Sequence, residues 1–165
     1  MRLDPARLAA LRRSMILDSG PERAFDDITR LLASVLAVPI TMINLLDEQR
    51  DWFKSCVGLP HNESPASTSF CEAFFSSSAN LIVVEDTLAD PRFKDHPLVV
   101  APPHVRFYAA VRIILGGQTL GTLCAYDMRP RQLSPGQREH LHTMGQAVID
   151  LLAHRDPPAP ATIAA

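Results

Sequence analysis

Three thiols come first, because a thiolate can act as nucleophile, redox centre or metal ligand. Cys56, Cys71 and Cys124 lie 15 and 53 residues apart. Odd in number and widely spaced, they fit reduced thiols in a reducing compartment better than a disulfide framework, and the expected location is the cytoplasm. Six histidines, His61, His96, His104, His140, His142 and His154, could hold a metal only if clustered. His140 and His142 are two apart in a helical stretch and point away from each other, so no metal site is expected. Gly116-Gly117 lacks the Lys-Ser/Thr that follows a phosphate-cradling loop, and no Gly-x-Ser-x-Gly elbow occurs. Hydrolysis of nucleotides or esters is not announced, and a non-catalytic role is the leading expectation.

Charged and aromatic residues offer a binding site instead. Asp86, Asp90, Arg92 and Arg106 flank a stretch that carries Pro91, Pro97, Pro102 and Pro103. A loop this long inside a compact domain is more often functional than idle. Its charges could pair and position it as a lid, or simply be solvated. Trp52 and Tyr108 are polar-tipped aromatics suited to lining a cavity. Tyr108 alternates with Phe107, so on a strand the two face opposite ways; if Phe107 packs under helices, Tyr108 faces the cavity, and the converse stays open.

These residues belong to a chain of 165 residues, 47% apolar and 21% charged, the mix of an ordinary soluble domain. That length suits one domain whose core needs no disulfides. Sixteen Lys and Arg against eighteen Asp and Glu give a formal charge of -2, which leaves no basic field for phosphate backbones. No apolar run is long enough for a signal peptide or membrane span. Neither nucleic acid nor membrane is an expected partner.

The elements that must position the candidates follow from spacing. Asp4-Pro5 reads as cap and first residue of a helix carrying Leu8, Leu11 and Met15. Pro21 opens a second helix with Phe25, Ile28, Leu32 and Val35 as its stripe, ending before Pro39. Ile40 to Asp47 is apolar on both faces, as in a central strand covered on both sides. A polar turn leads into a strand from Trp52 to Val57, followed by a polar loop over 58–68. Ser69 could cap a short helix with Phe70, Phe74 and Phe75, and Leu81 to Val84 is a brief strand. Phe107–Leu115 and Gln118–Asp127 pair across Gly116-Gly117. Ser134-Pro135-Gly136-Gln137 is a capping box opening a last helix with Leu141, Met144, Val148 and Leu151, ending near His154. Residues 1–155 are expected to form one domain, 1–20 being its N-terminal helix and linker, and the Pro/Ala-rich 156–165 a disordered tail. Two hairpin-joined strand pairs with segregated helices make the expected class α+β with an antiparallel sheet.

Along this path the chain resembles a GAF domain of the kind found in bacterial sensory proteins, over residues 7 to 153. The resemblance is carried by Val38-Pro39-Ile40 with Asn44-Leu45-Leu46-Asp47, by Trp52-Phe53-Lys54-Ser55 and Gly58-Leu59, and by Ser69-Phe70-Cys71. It continues through Val84-Glu85-Asp86-Thr87, Ala89-Asp90-Pro91-Arg92-Phe93, Arg106-Phe107-Tyr108-Ala109, and Leu120-Gly121-Thr122-Leu123-Cys124 with Asp127. It implies a GAF/PAS-like, six-stranded antiparallel sheet with terminal helices on one face and, on the other, a ligand cavity roofed by loops and the short helix. Family members bind cyclic nucleotides, bilins, haem or small metabolites, or bind nothing and dimerise, so the small molecule and any cofactor stay unidentified. Arg112 stands where the subgroup usually has a proline; it could pair with an anionic ligand or sit at a sheet edge. The expected ligand-binding set is Trp52, Phe70, Cys71, Asp86, Arg106, Tyr108, Arg112 and Cys124.

The resemblance also implies alternatives. Some GAF proteins are free methionine sulfoxide reductases, and Cys71 with Cys124 could supply a nucleophilic and a resolving thiol, although their spacing is unlike that group's clustered pattern and buried packing thiols are the plainer expectation. Bilin attachment usually needs His after the attaching Cys, whereas Glu72 follows Cys71 and Val57 follows Cys56. His96 and His104 are the loop residues placed to hold a haem. Terminal helices of the family often pair between copies, which here would use Leu8, Leu11, Met15, Met144 and Leu151 in a homodimer. The expected function is a sensory module that binds a small molecule or dimerises, and signals to a partner in trans, unless the chain is a piece of a longer protein.

Overall fold

The computed structural model describes residues 1–155; the expected C-terminal tail lies outside them. Helix α1 (Pro5–Arg13) begins where Asp4 accepts a hydrogen bond from the Arg7 amide at 2.9 Å, with Pro5 as its first residue. Helix α2 (Arg23–Leu36) starts two residues later than Pro21, because Glu22 stays extended, with φ −130°. It buries Phe25, Thr29, Leu32 and Leu36 and stops at Ala37, which takes the left-handed conformation, φ 53°. Helix α4 (Pro135–Ala153), reached after the one-turn helix α3 (Pro97–Val100), carries the expected capping box between Ser134 and Gln137.

The strands are β1 (Ile40–Leu46), β2 (Arg50–Val57), β3 (Glu63–Pro65), β4 (Leu81–Val84), β5 (Phe107–Leu115) and β6 (Gln118–Asp127). They form one antiparallel sheet in the order β3-β2-β1-β6-β5-β4. Gly116 and Gly117 both have positive φ, 58° and 79°, as the two-residue turn between β5 and β6 requires. Every residue of β1 is buried, as its apolar run foretold. Strand β3 lies within the expected polar loop; three residues ending in proline carry no alternation to betray a strand, and proline is tolerated there because β3 is an edge.

Two apolar cores flank the sheet. On one face α2 and α4 bury Phe25, Leu32 and Val148 against Leu45, Phe107 and Leu123. The approach is close: a Cβ at Gly145 would come within 2.5 Å of Val111 Cγ1. On the other face Met42, Phe53, Phe70, Phe93, Tyr108 and Cys124 pack beneath the segment between β4 and β5. Phe107 therefore lies under the helices and Tyr108 on the opposite face.

A bulge between β1 and β2 decides which β2 side chains go where. Ile43 pairs with Ser55 and Asn44 with Phe53, leaving Lys54 as the extra residue. Lys54 and Ser55 consequently both turn toward α2: Ser55 donates to Asp26 Oδ1 at 2.6 Å, and Lys54 donates to Glu22, Gly20 O and Ser19 Oγ while lying over the Phe25 ring. The alternation then places Trp52, opposite Leu45, in the helix-side core and Phe53 on the other face.

Candidate functional site

The loop-covered face holds a cavity of about 100 Å³. β1 contributes Ile40, Met42 and Asn44, β2 contributes Asp51 and Phe53, the 3-10 turns after β3 supply Ser69 and Phe70, and the β4–β5 segment supplies Leu98, Pro103 and Val105. Phe70 anchors this wall, with its ring 5.2 Å from that of Phe93 and 5.2 Å from that of Tyr108. Residues 70–76 are wound as a 3-10 helix, and Ser69 makes no capping hydrogen bond.

A chain of buried polar groups runs behind the cavity. Arg2 donates to Asp51 Oδ1 at 2.8 Å and to Glu72 Oε2 at 2.8 Å, and its remaining donors reach the carbonyls of Asp47 and Arg50. Burial works against this guanidinium's charge, but Asp51 and Glu72 more than restore it. Asp51 Oδ2 accepts from Asn44 Nδ2 at 2.9 Å, and the same amide nitrogen lies 3.5 Å from Cys71 Sγ. That thiol also meets Tyr108 Oη at 3.2 Å and Thr122 Oγ1 at 3.1 Å. Two atoms in this region have no protein partner, Asn44 Oδ1 and Ser69 Oγ. Their residues are only 1% and 8% exposed.

The expected site residues separate into several places. Phe70 lines the cavity, and Cys71, Tyr108 and Cys124 lie buried behind it. Trp52 does not reach it, for the bulge-set alternation turns it toward the helices. Asp86 and Arg106 form an ion pair at 3.2 Å, and Arg92 pairs with its near neighbour Asp90 at 2.8 Å. These are two separate pairs outside the cavity lining, not one network. Arg112 is a backbone staple: its guanidinium donates to the carbonyls of Phe74, Ser77 and Ala79 and to Thr119 Oγ1, and covers the Phe74 ring. Nε and Nη2 are spent on these backbone carbonyls and Nη1 keeps a single hydrogen outside these bonds, so the guanidinium is committed chiefly to the protein's own backbone.

The thiols are closed in. Cys71 and Cys124 are 0% exposed. Burial opposes ionisation of both; Cys71, hydrogen-bonded with Cys124, Thr122 and Tyr108, is nevertheless drawn below the ordinary thiol value, whereas Cys124 is pushed well above it. The Tyr108 phenol is likewise raised, by burial first and by the neighbouring thiols next. Cys56 is half-buried, and burial raises its thiol too. His96 accepts from the Leu98 amide and packs on Phe70 at 4.1 Å, and His104 Nδ1 is bonded to Val99 O. Among the described residues no group of three or more His, Cys, Asp or Glu could hold a metal, and no helix is long and apolar enough to cross a membrane.

Of the expected dimer residues, Leu8, Leu11 and Met144 are committed to the protomer's own interior, Leu151 is half-buried, and Met15 is 50% exposed. Asn44, Asp51, Phe53 and Ser69 lie outside the expected ligand-binding set, although Asn44, Phe53 and Ser69 stand in the stretches that carry the family resemblance. The available signal was Asn44 itself, an amide inside an otherwise apolar central strand.

Comparison with known proteins agrees with this architecture. A cyclic di-GMP phosphodiesterase of Pseudomonas aeruginosa is 35% identical over 127 residues, which cover 76% of this chain and 22% of that protein. The chain thus spans about a fifth of the length of this curated relative. The GAF domain of an Acinetobacter phosphoenolpyruvate-protein phosphotransferase superposes with a TM-score of 0.64 at 20% identity, covering 92% of this chain and 96% of that one. Free methionine-R-sulfoxide reductase from Neisseria meningitidis, solved with its substrate, gives 0.63 at 16% identity over 89% of this chain and 86% of the other. At those identities the likeness is one of fold. The GAF domain sequence model matches residues 20–155, so a six-stranded sheet with helices on one face and a walled cavity on the other is here the fold of a member of the GAF domain family.

Proposed function

We propose that this domain is a non-catalytic sensory or regulatory module that binds a small molecule in the cavity between the sheet and the β4–β5 segment and passes its occupancy to a partner. One observation carries the reading: two residues that line an apolar cavity, Asn44 and Ser69, each hold a buried polar atom, Oδ1 and Oγ, with no protein partner. Leaving such groups unpaired costs stability, which a ligand would recover. The relative's domain makes up a fifth of a phosphodiesterase, which supports a regulatory part attached to, or acting on, a separate output. Signalling follows if the ligand binds two states of the β4–β5 segment or of the N-terminal segment with different affinity. Arg2 links that segment to the cavity through Asp51 and Asn44.

Native mass spectrometry of the purified protein, compared with its denatured mass, is the test. A mass above an integer number of chains is expected. A bare mass together with no stabilisation by any cell-extract small-molecule fraction overturns the reading. The same spectrum gives the stoichiometry, for which a homodimer is the expectation.

A thiol reductase is the second reading, favoured by the hydrogen bonds that lower the Cys71 thiol. Its difficulty is access, since both thiols are 0% exposed. Turnover of free methionine sulfoxide with thioredoxin and NADPH, lost in Cys71→Ser, would establish it; absence of turnover ends it.

A further inference from the structure

The cavity's polar groups restrict what it can hold, and the argument rests on the ligand-binding reading above. Asn44 is oriented by its neighbour: Asp51 can only accept, so the amide turns Nδ2 to it at 2.9 Å and leaves Oδ1 unpartnered. An amide oxygen can only accept. A ligand atom that reaches it must therefore donate, while Ser69 Oγ can donate or accept.

Charge narrows the choice further. The Asp51 carboxylate has one oxygen bonded to Arg2 and the other to Asn44, so a cationic head would be desolvated against a carboxylate already neutralised. An anionic head meets neither lysine nor arginine in the lining, whose one basic side chain, His61, is exposed to solvent, and would lie beside Asn44 and Asp51. Either ion would incur the cost of a buried, unpaired charge. The rest of the wall is largely apolar, with Ile40, Met42, Phe53, Phe70, Leu98 and Val105, and it adds the polar side chains of His61, Ser64 and Thr68. A volume of about 100 Å³ is somewhat smaller than a cavity known to take benzene, which puts the body at roughly half a dozen non-hydrogen atoms.

We propose that the cavity selects small, uncharged molecules with an apolar body and a hydrogen-bond-donating head of the primary amide or alcohol class, the head bonding Asn44 Oδ1 and Ser69 Oγ.

Three nearly isosteric probes test it: isobutyramide, isobutyrate and isobutylammonium, titrated at pH 8 into the purified 165-residue chain and followed by amide chemical shifts and thermal shift. The amide is expected to bind about tenfold or more tightly than either ion, the cost of mispairing a buried polar group. Ser69→Ala should weaken isobutyramide about five- to tenfold while raising the melting temperature of the unliganded protein, because it deletes an unpartnered hydroxyl. That opposition of signs cannot come from a variant that merely misfolds. Asn44→Leu should abolish the preference for the amide. Isobutyrate or isobutylammonium binding as well as the amide overturns this selectivity and leaves small-molecule binding standing. Failure of all three to shift any cavity residue overturns this selectivity, and the binding reading itself falls only with the bare native mass and the failed extract screen that test it.

Discussion

The two faces of the sheet are built to different standards. The helix face is closed by α2 and α4, whose stripes fill the space so completely that Gly145 has no room for a side chain against Val111. Its few polar groups are satisfied: Thr29 bonds Ser55 at 2.7 Å, Thr41 donates to the Thr29 carbonyl, and Lys54 is enclosed by Glu22, Gly20 and Ser19. The loop face is also apolar, but it is covered by 3-10 turns and a one-turn helix, retains a cavity, and leaves two buried polar atoms unpaired. A face packed to completion contributes stability. A face that gives some stability away is where binding can recover it.

Breaking the helix face should produce the largest effect. Phe25→Ala, at a 1% exposed position on α2, is expected to cost about 3–5 kcal/mol by urea unfolding, while the affinity of any cavity ligand changes little. A loss below about 1 kcal/mol would show that this core is not tightly packed.

On the loop face, Arg2→Ala strands the buried Asp51 carboxylate with Asn44 as its remaining side-chain donor, and a loss of about 3 kcal/mol is expected. Replacing both members, Arg2→Leu with Asp51→Leu, should restore much of it. Equal losses in single and double variants would mean that the pair matters for shape rather than charge.

Arg112→Lys is a smaller perturbation. A single ammonium cannot span the carbonyls of Phe74, Ser77 and Ala79 as the planar guanidinium does. About 1 kcal/mol should be lost, with faster hydrogen exchange confined to residues 74–80; global acceleration would contradict a local staple.

Acid should give the smallest effect. Burial raises Glu22, but hydrogen bonds from Lys54 and Arg155 more than offset it and hold its carboxyl below the ordinary value. Asp18 is lowered by its bond to Arg50. Since their folded values lie below the unfolded ones, the stabilisation is full above about pH 5 and is lost as the pH falls through the folded values. Solvent screening keeps it under about 1 kcal/mol for Glu22. Lys54→Met should flatten the part due to Glu22, measured as urea midpoint against pH between 3 and 6.

Much of the fold was legible because it is written in local chemistry. The Asp4-Pro5 start, the Gly116-Gly117 turn and the Ser134–Gln137 capping box each satisfy a backbone need within a few residues, and each occurs as read. The two-sided apolar run of β1 announced its central place. The site was less legible. Trp52 was assigned to the cavity from its chemical type, but the bulge at Lys54 fixes which β2 residues share a face, and no spacing rule marks an extra residue. From sequence Arg112 fits an anion partner or a sheet-edge charge, and its role as a staple rests on three carbonyls 33 to 38 residues away in sequence.

The sequence by itself determined helices α1, α2 and α4, five of the six strands and the α+β class, since periodicity, caps and turns act over distances the chain controls directly, whereas the one-turn α3 falls inside the stretch expected as loop. Tertiary structure alone decided the site. Asn44 becomes an unpaired acceptor only because Asp51, across the hairpin, claims its nitrogen. Asp51 in turn is held by Arg2, 49 residues away. Pairing between distant residues depends on sheet register and loop path, and neither is encoded in any one window of the chain.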